Sequence, residues 1–115
     1  DDLIRGIRLL IDAAPPPPAA RGAGVAGDSL SPVAPWRVVN IGNSERVALL
    51  DFVAAIEAAT GRAAIRNLME MQPGDVPATW ADAGLLGRLT GYRPQTDVRE
   101  GVARFVTWYR DYHGC

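Results

Sequence analysis

The stretch Met71-Gln72-Pro73-Gly74-Asp75-Val76-Pro77-Ala78-Thr79-Trp80-Ala81-Asp82 sets carboxylates, an amide and a hydroxyl among two prolines and a glycine. Proline fixes φ and restricts the residue before it, so the backbone here is stiff and Gln72, Asp75 and Thr79 are held in set directions. A carboxylate at Asp75 can accept hydrogen bonds from paired hydroxyls such as those of a ribose. The Gln72 amide can meet a base edge or a phosphate. On physical grounds alone the same residues suit a rigid structural turn equally well.

The other chemistry-bearing residues form no catalytic group. His113 is the only histidine and lies two residues from the end of the chain, where a solvated tail side chain is the simpler reading than a general base or metal ligand. Cys115 follows Gly114 at the last position, without the fixed electropositive surroundings that activate a thiol. All twelve basic residues are arginine, which excludes a Schiff-base or general-base lysine within these residues. Asp1 and Asp2 suit the start of a helix better than an acid/base or metal pair. Asn40-Ile41-Gly42-Asn43 has the setting of a strand-to-helix turn, but a single glycine falls short of a dinucleotide fingerprint.

Composition narrows the partners. With 48% hydrophobic and 22% charged residues and a net charge of −1, the 115-residue chain reads as one small globular unit. It has no basic footprint for nucleic acid or an anionic membrane. Its apolar runs fall far below the roughly 18 residues of a membrane span, and a lone cysteine fits a reducing cytoplasm. The chain opens without methionine, directly in a helical pattern, and so reads as a cut through a longer protein.

The elements that must position these residues follow from periodicity. Leu3, Ile4, Ile7, Leu10 and Ile11 recur at helical spacing over residues 2–13, with Asp1 and Asp2 at the start. Residues 14–35 contain Pro15 to Pro18 and scattered glycines, a surface loop. The run 36–41, rich in β-branched residues, predicts a short strand. A helix follows, capped by Ser44, striped by Leu49, Phe52, Val53 and Ile56, and stopped at Gly61. Residues 65–71 predict a second strand. Asp82 opens a short helix with Leu85, Leu86 and Leu89 that ends near Gly91. Asp97 and Glu100 have capping-box spacing before a helix striped by Val98, Val102, Phe105, Val106 and Tyr109. The order implies an α/β protein of about four helices and two short strands, too few strands for a sheet on their own.

These residues carry a family resemblance. Asp1-Asp2-Leu3-Ile4-Arg5-Gly6 is similar to the "YVDDIVEG" step of the extended short-chain dehydrogenases, and Val39 to Asn43 to "YNIGN". Met71 to Asp82 is similar to "MQPGDVPATYAD", and Gly101 to Tyr109 to the start of "GVRRFVEWYREYY". The four blocks fall in family order across the whole chain. They resemble the C-terminal, substrate-binding portion of the NAD-dependent UDP-sugar epimerases, and most closely the UDP-glucuronate 4-epimerases. Gln72 stands where the galactose enzymes usually have the arginine of "RPGD".

The resemblance implies an isomerase that removes a hydride from C4 of a UDP-sugar, passes through a 4-keto intermediate and returns the hydride to the other face. NAD, the "GxxGxxG" loop and the "YxxxK" pair would belong to an N-terminal Rossmann half absent from these residues. That half would be this portion's partner and the surface through which family members commonly homodimerise. By the same resemblance Asp75 binds the ribose hydroxyls of UDP, Gln72 lies near the nucleotide or diphosphate, and Thr79 stands where the galactose enzymes often have tyrosine. The portion would be inactive alone. Two other readings are a non-catalytic nucleotide-binding or interaction module, and a portion of a related nucleotide-sugar epimerase, dehydratase or decarboxylase.

Overall fold

A computed structural model of the chain describes residues 1–75 and 80–115. They divide into two compact units. One comprises Asp1–Ser44 and Trp80–Gln95; the other draws on Glu45–Thr79 and Thr96–Cys115.

In the first unit α1 (Asp2–Asp12) packs on α3 (Gly84–Thr90). Gly6 permits the approach: a Cβ there would lie 2.9 Å from Ile41 Cγ2 and 3.7 Å from Leu86 Cδ2. Leu86 is completely buried and Ala83 nearly so. Only part of the apolar stripe read from the sequence packs. Ile4 and Ile11 are 67% and 70% exposed, whereas Gly6 is buried and Leu9 and Leu10 are half-buried.

The acidic pair at the start of α1 also differs from expectation. Asp1 occupies the N-cap position without a capping side-chain hydrogen bond. Asp2 instead joins the two ends of the unit: the Tyr92 hydroxyl donates to its Oδ1 at 2.7 Å and the Gln95 N–H to its Oδ2 at 3.0 Å. The Arg5 guanidinium lies over the Tyr92 ring, 4.6 Å from its centroid. Burial, reinforced by the neighbouring Asp2 carboxylate, raises the Tyr92 pKa above its ordinary 10.0. The Asp82 side chain accepts the Gly84 N–H at 2.8 Å at the start of α3, and Gly91, at φ +70°, ends it.

The loop over residues 14–35 contains a short 3-10 turn, Pro18–Ala20. Arg21 Nη2 donates to the Ala34 carbonyl at 2.9 Å, and Asp28 pairs with Arg37 at 3.5 Å, both side chains only 10% exposed.

In the second unit α2 (Leu49–Thr60) packs on α4 (Val98–His113) around buried Ala55 and Val102. Helix α2 starts at Leu49 with Ala48 as N-cap, so Ser44 does not cap it. Gly61 stops it at φ +70°, a left-handed conformation that glycine adopts without steric cost. Arg110 of α4 donates to the Thr60 carbonyl at 2.7 Å. Asp97 caps α4 by accepting the Arg99 and Glu100 N–H groups, while Glu100 pairs with Arg104 one turn on. The helix continues through His113, whose ring lies 4.3 Å from that of Tyr109, so the histidine is helical and exposed rather than part of a frayed tail.

Glu57 folds the chain back after α2. It accepts the Ala64 N–H at 2.9 Å and pairs with Arg66 at 2.8 Å, and these two interactions hold its carboxyl below the ordinary 4.5. A depressed folded pKa gives stability that is present above the unfolded value and lost as pH falls through the folded one. Acidification below about pH 4.5 is therefore expected to loosen residues 61–66. Glu57→Gln should abolish this acid-dependent step, as followed by amide exchange at Ala64 between pH 6 and pH 3.

The expected strands at 36–41 and 65–71 are not formed: the described residues contain four α-helices, the 3-10 turn and no strand. A strand exists only through the ladder it shares with a neighbour, and neither run has one here. Ile65 and Leu68 are among the most exposed residues of the chain. Within the described residues the α/β expectation is thus met by its helices alone. None of those helices is long and apolar enough to cross a membrane.

Candidate functional site

Gln72-Pro73-Gly74-Asp75 closes a β-turn in which the Asp75 N–H donates to the Gln72 carbonyl at 3.1 Å. Proline at the second position and glycine at the third, with φ +97° at Gly74, are the signature of a type II turn. A side chain at position 74 would strain that backbone. The stiffness read from the sequence therefore has a concrete form, one turn with Gln72 and Asp75 at its two ends.

Both side chains are exposed. The Gln72 Nε2 donates to the Glu70 carbonyl at 3.2 Å, which holds the amide back against the preceding backbone and leaves its oxygen as an acceptor. Asp75 presents a carboxylate at the mouth of the turn, suited to accept two hydroxyl hydrogens from a vicinal diol. Thr79, the third candidate, lies with residues 76–78 outside the described residues.

An apolar groove of about 940 Å³ lies in the same unit between α2 and α4, lined by Phe52, Ile56, Phe105, Val106, Tyr109 and Cys115 among others. Neither Gln72 nor Asp75 lines it. Sequence reasoning assigned its walls to helix core stripes, and the stripes do face each other but leave Phe105 and Tyr109 partly open. Cys115 turns back toward α4, its N–H donating to the Arg110 carbonyl at 3.2 Å. Among the described residues no three His, Cys, Asp or Glu side chains group as a metal site.

The turn at Asn40 to Asn43 does not fit a dinucleotide. A pyrophosphate-binding turn needs glycines for close approach and a helix N-terminus directly behind it. After Gly42 the chain runs without helix to Leu49. Gly42 is instead explained by packing, since a Cβ there would lie 2.8 Å from the Ala81 methyl. A redox cofactor would have to be held by residues other than these.

No family model matches the chain. Individual proteins do. The chain is 48% identical over 109 residues to a probable UDP-glucuronate 4-epimerase of Rhizobium meliloti, covering 95% of this chain and 32% of that protein. It is 41% identical over 113 residues to protein CapI of Staphylococcus aureus, covering 98% and 34%. With UDP-glucuronate 4-epimerase 4 of Arabidopsis thaliana it shares 36% over 114 residues, covering 98% and 25%. Its fold matches, with a TM-score of 0.67 and 23% identity, part of the crystal structure of a UDP-glucuronic acid 4-epimerase point mutant from Bacillus cereus. That crystal contains UDP-4-deoxy-4-fluoro-glucuronic acid and NAD, and the match covers 97% of this chain and 30% of that one. The chain spans about a third of the length of the curated relatives first named, and over nearly all its own length it is homologous to part of the UDP-glucuronate 4-epimerases.

Proposed function

We propose that this homologue of part of the UDP-glucuronate 4-epimerases is the C-terminal, UDP-sugar-binding portion of such an enzyme, an NAD-dependent isomerase that interconverts UDP-glucuronate and UDP-galacturonate. The observation that carries the reading is the 48% identity to the Rhizobium meliloti protein over 109 residues. The exposed carboxylate of Asp75 on a type II turn is the local feature that suits it.

NAD and the chemistry at the sugar belong to the partner half, since the turn at Asn40 to Asn43 does not fit a dinucleotide. The contribution of this portion is grip and orientation. Asp75 accepts hydrogen bonds from the ribose hydroxyls of UDP, and Gln72 lies toward the nucleotide or diphosphate; Thr79 remains a substrate-binding candidate by its place in the motif alone. Binding remote from the reacting carbon raises rate by fixing the sugar in a reactive geometry. The completed enzyme is placed in the cytoplasm and as a homodimer through its Rossmann half.

The test is a single polypeptide in which these residues replace the matching third of the Rhizobium meliloti relative. Given UDP-glucuronate and NAD, it is expected to produce UDP-galacturonate up to an equilibrium mixture, as separated by chromatography. Release of carbon dioxide would point instead to a decarboxylase. The 115-residue chain alone should show no turnover.

A further inference from the structure

Helix α4 buries Val102 and half-buries Val106 but leaves another side bare. About 120° around the helix from Val102, Trp108 is 52% exposed, with Phe105 at 58% and Tyr112 at 72% one turn to either side. The Trp108 ring stacks on Tyr112 at 5.4 Å and tilts against Phe105 at 5.6 Å, so the three make one continuous aromatic strip. Large aromatic side chains gathered in this way are the composition of an interface core rather than of open surface.

The charges beside the strip define what fits it. Arg104 precedes Trp108 by four residues and Asp111 follows it by three, so both stand on one flank of the strip, about 6 Å before and about 4.5 Å after the tryptophan along the axis. Phe105 and Tyr112 stand on the other flank in the same way. Arg104 pairs with Glu100 at the surface, whereas the Asp111 carboxylate has no partner among the described residues. A second α4 laid antiparallel, with a two-fold axis at Trp108, brings like flanks together and reverses the order along them. Arg104 of each copy then meets Asp111 of the other, and Phe105 meets Tyr112.

Each of these pairs forms twice, which is the self-complementarity that an isologous contact demands. We infer that α4 docks antiparallel on α4 of a second copy of this chain, with the two Trp108 side chains at the centre and an Arg104–Asp111 pair at each end. The charge order selects this occupant, because the strip with its cation at one end and its anion at the other is its own complement when reversed. The contact adds to the one between Rossmann halves and does not depend on the functional reading.

Charge reversal tests it, with molar mass followed by light scattering over a concentration series. The 115-residue chain is expected to dimerise, and Arg104→Asp or Asp111→Arg, each of which sets like charges opposite, should weaken the dimer at least about tenfold. An equimolar mixture of the two variants should regain it, since every reversed charge then faces its opposite. Tyr112→Ala, which alters no charge, should weaken the dimer as well. In the joined polypeptide the parent is expected to have at least twice the mass of either charge variant. A monomeric parent chain, a mixture no heavier than its components, a dimer indifferent to Tyr112→Ala, or a joined polypeptide whose mass neither charge reversal changes would each overturn the inference.

Discussion

Leu86→Ala is expected to destabilise the chain by about 3 kcal/mol, the middle of the range for truncating a fully buried leucine. Leu86 is the one large side chain among the described residues with no exposed surface. It sits in α3, close to the Gly6 position through which α1 approaches, so truncation leaves a cavity at the contact that joins the two helices. The site cannot collapse cheaply, because α1 is also fixed at its first turn by the hydrogen bonds of Asp2 to Tyr92 and Gln95. With so few large side chains buried, a loss of this size is a substantial part of a small domain's stability. The midpoint of urea unfolding measures it. Ile65→Ala, at a fully exposed position, is the control and should shift the midpoint by no more than the equivalent of about 0.5 kcal/mol. Equal effects from the two substitutions would show that the α1 and α3 contact does not hold its unit together.

Much of the local structure is legible in the sequence, and most of the failures have a common cause. Most signals contained within a few residues were read correctly, Ser44 being the exception: Asp97 caps α4, and Gly61 and Gly91 end their helices in the left-handed conformation that only glycine adopts freely. The Pro-Gly pair at 73–74 likewise forms the stiff turn that its residue types demand. What failed depends on partners elsewhere. A run of β-branched residues states a preference for extended backbone, but whether 36–41 becomes a strand is decided by what lies alongside it. The α1 stripe was visible, yet which side of the helix packs here was set by the small residue Gly6 meeting Ile41, a contact across 35 positions. Asp2 looked like a capping residue because capping is local, whereas its hydrogen bonds run to residues some 90 positions away.

The candidate site was legible for a different reason. The family motif from Met71 to Asp82 marks it, and the turn chemistry explains why the motif contains proline and glycine between an amide and a carboxylate. The groove between α2 and α4 had no such mark. Its walls are ordinary helix stripes, and only the residual exposure of Phe105 and Tyr109 reveals that they do not close on each other.

Asp75→Ala in the completed enzyme is expected to weaken UDP-sugar binding by about 10- to 100-fold, the value of one to two hydrogen bonds to a charged group. The Asp75 N–H closes the turn through the backbone, so the substitution removes the carboxylate and leaves the turn in place. A fall in affinity therefore reports on contact with the ligand rather than on folding. Asp75→Asn separates charge from shape: it keeps one acceptor oxygen but replaces the other with a donor, and should lie between wild type and alanine. The choice of ligand then locates the contact. If the carboxylate meets the ribose, isothermal titration will show the same loss for UDP alone as for UDP-glucuronate. A loss confined to UDP-glucuronate would move the contact to the sugar, and unchanged affinity for both would remove Asp75 from the site. On the proposed reading, in which grip at the nucleotide positions the distant C4, the variant should also lose turnover at saturating substrate. A rise in KM with unchanged kcat would mean that the contact anchors the ligand without orienting it.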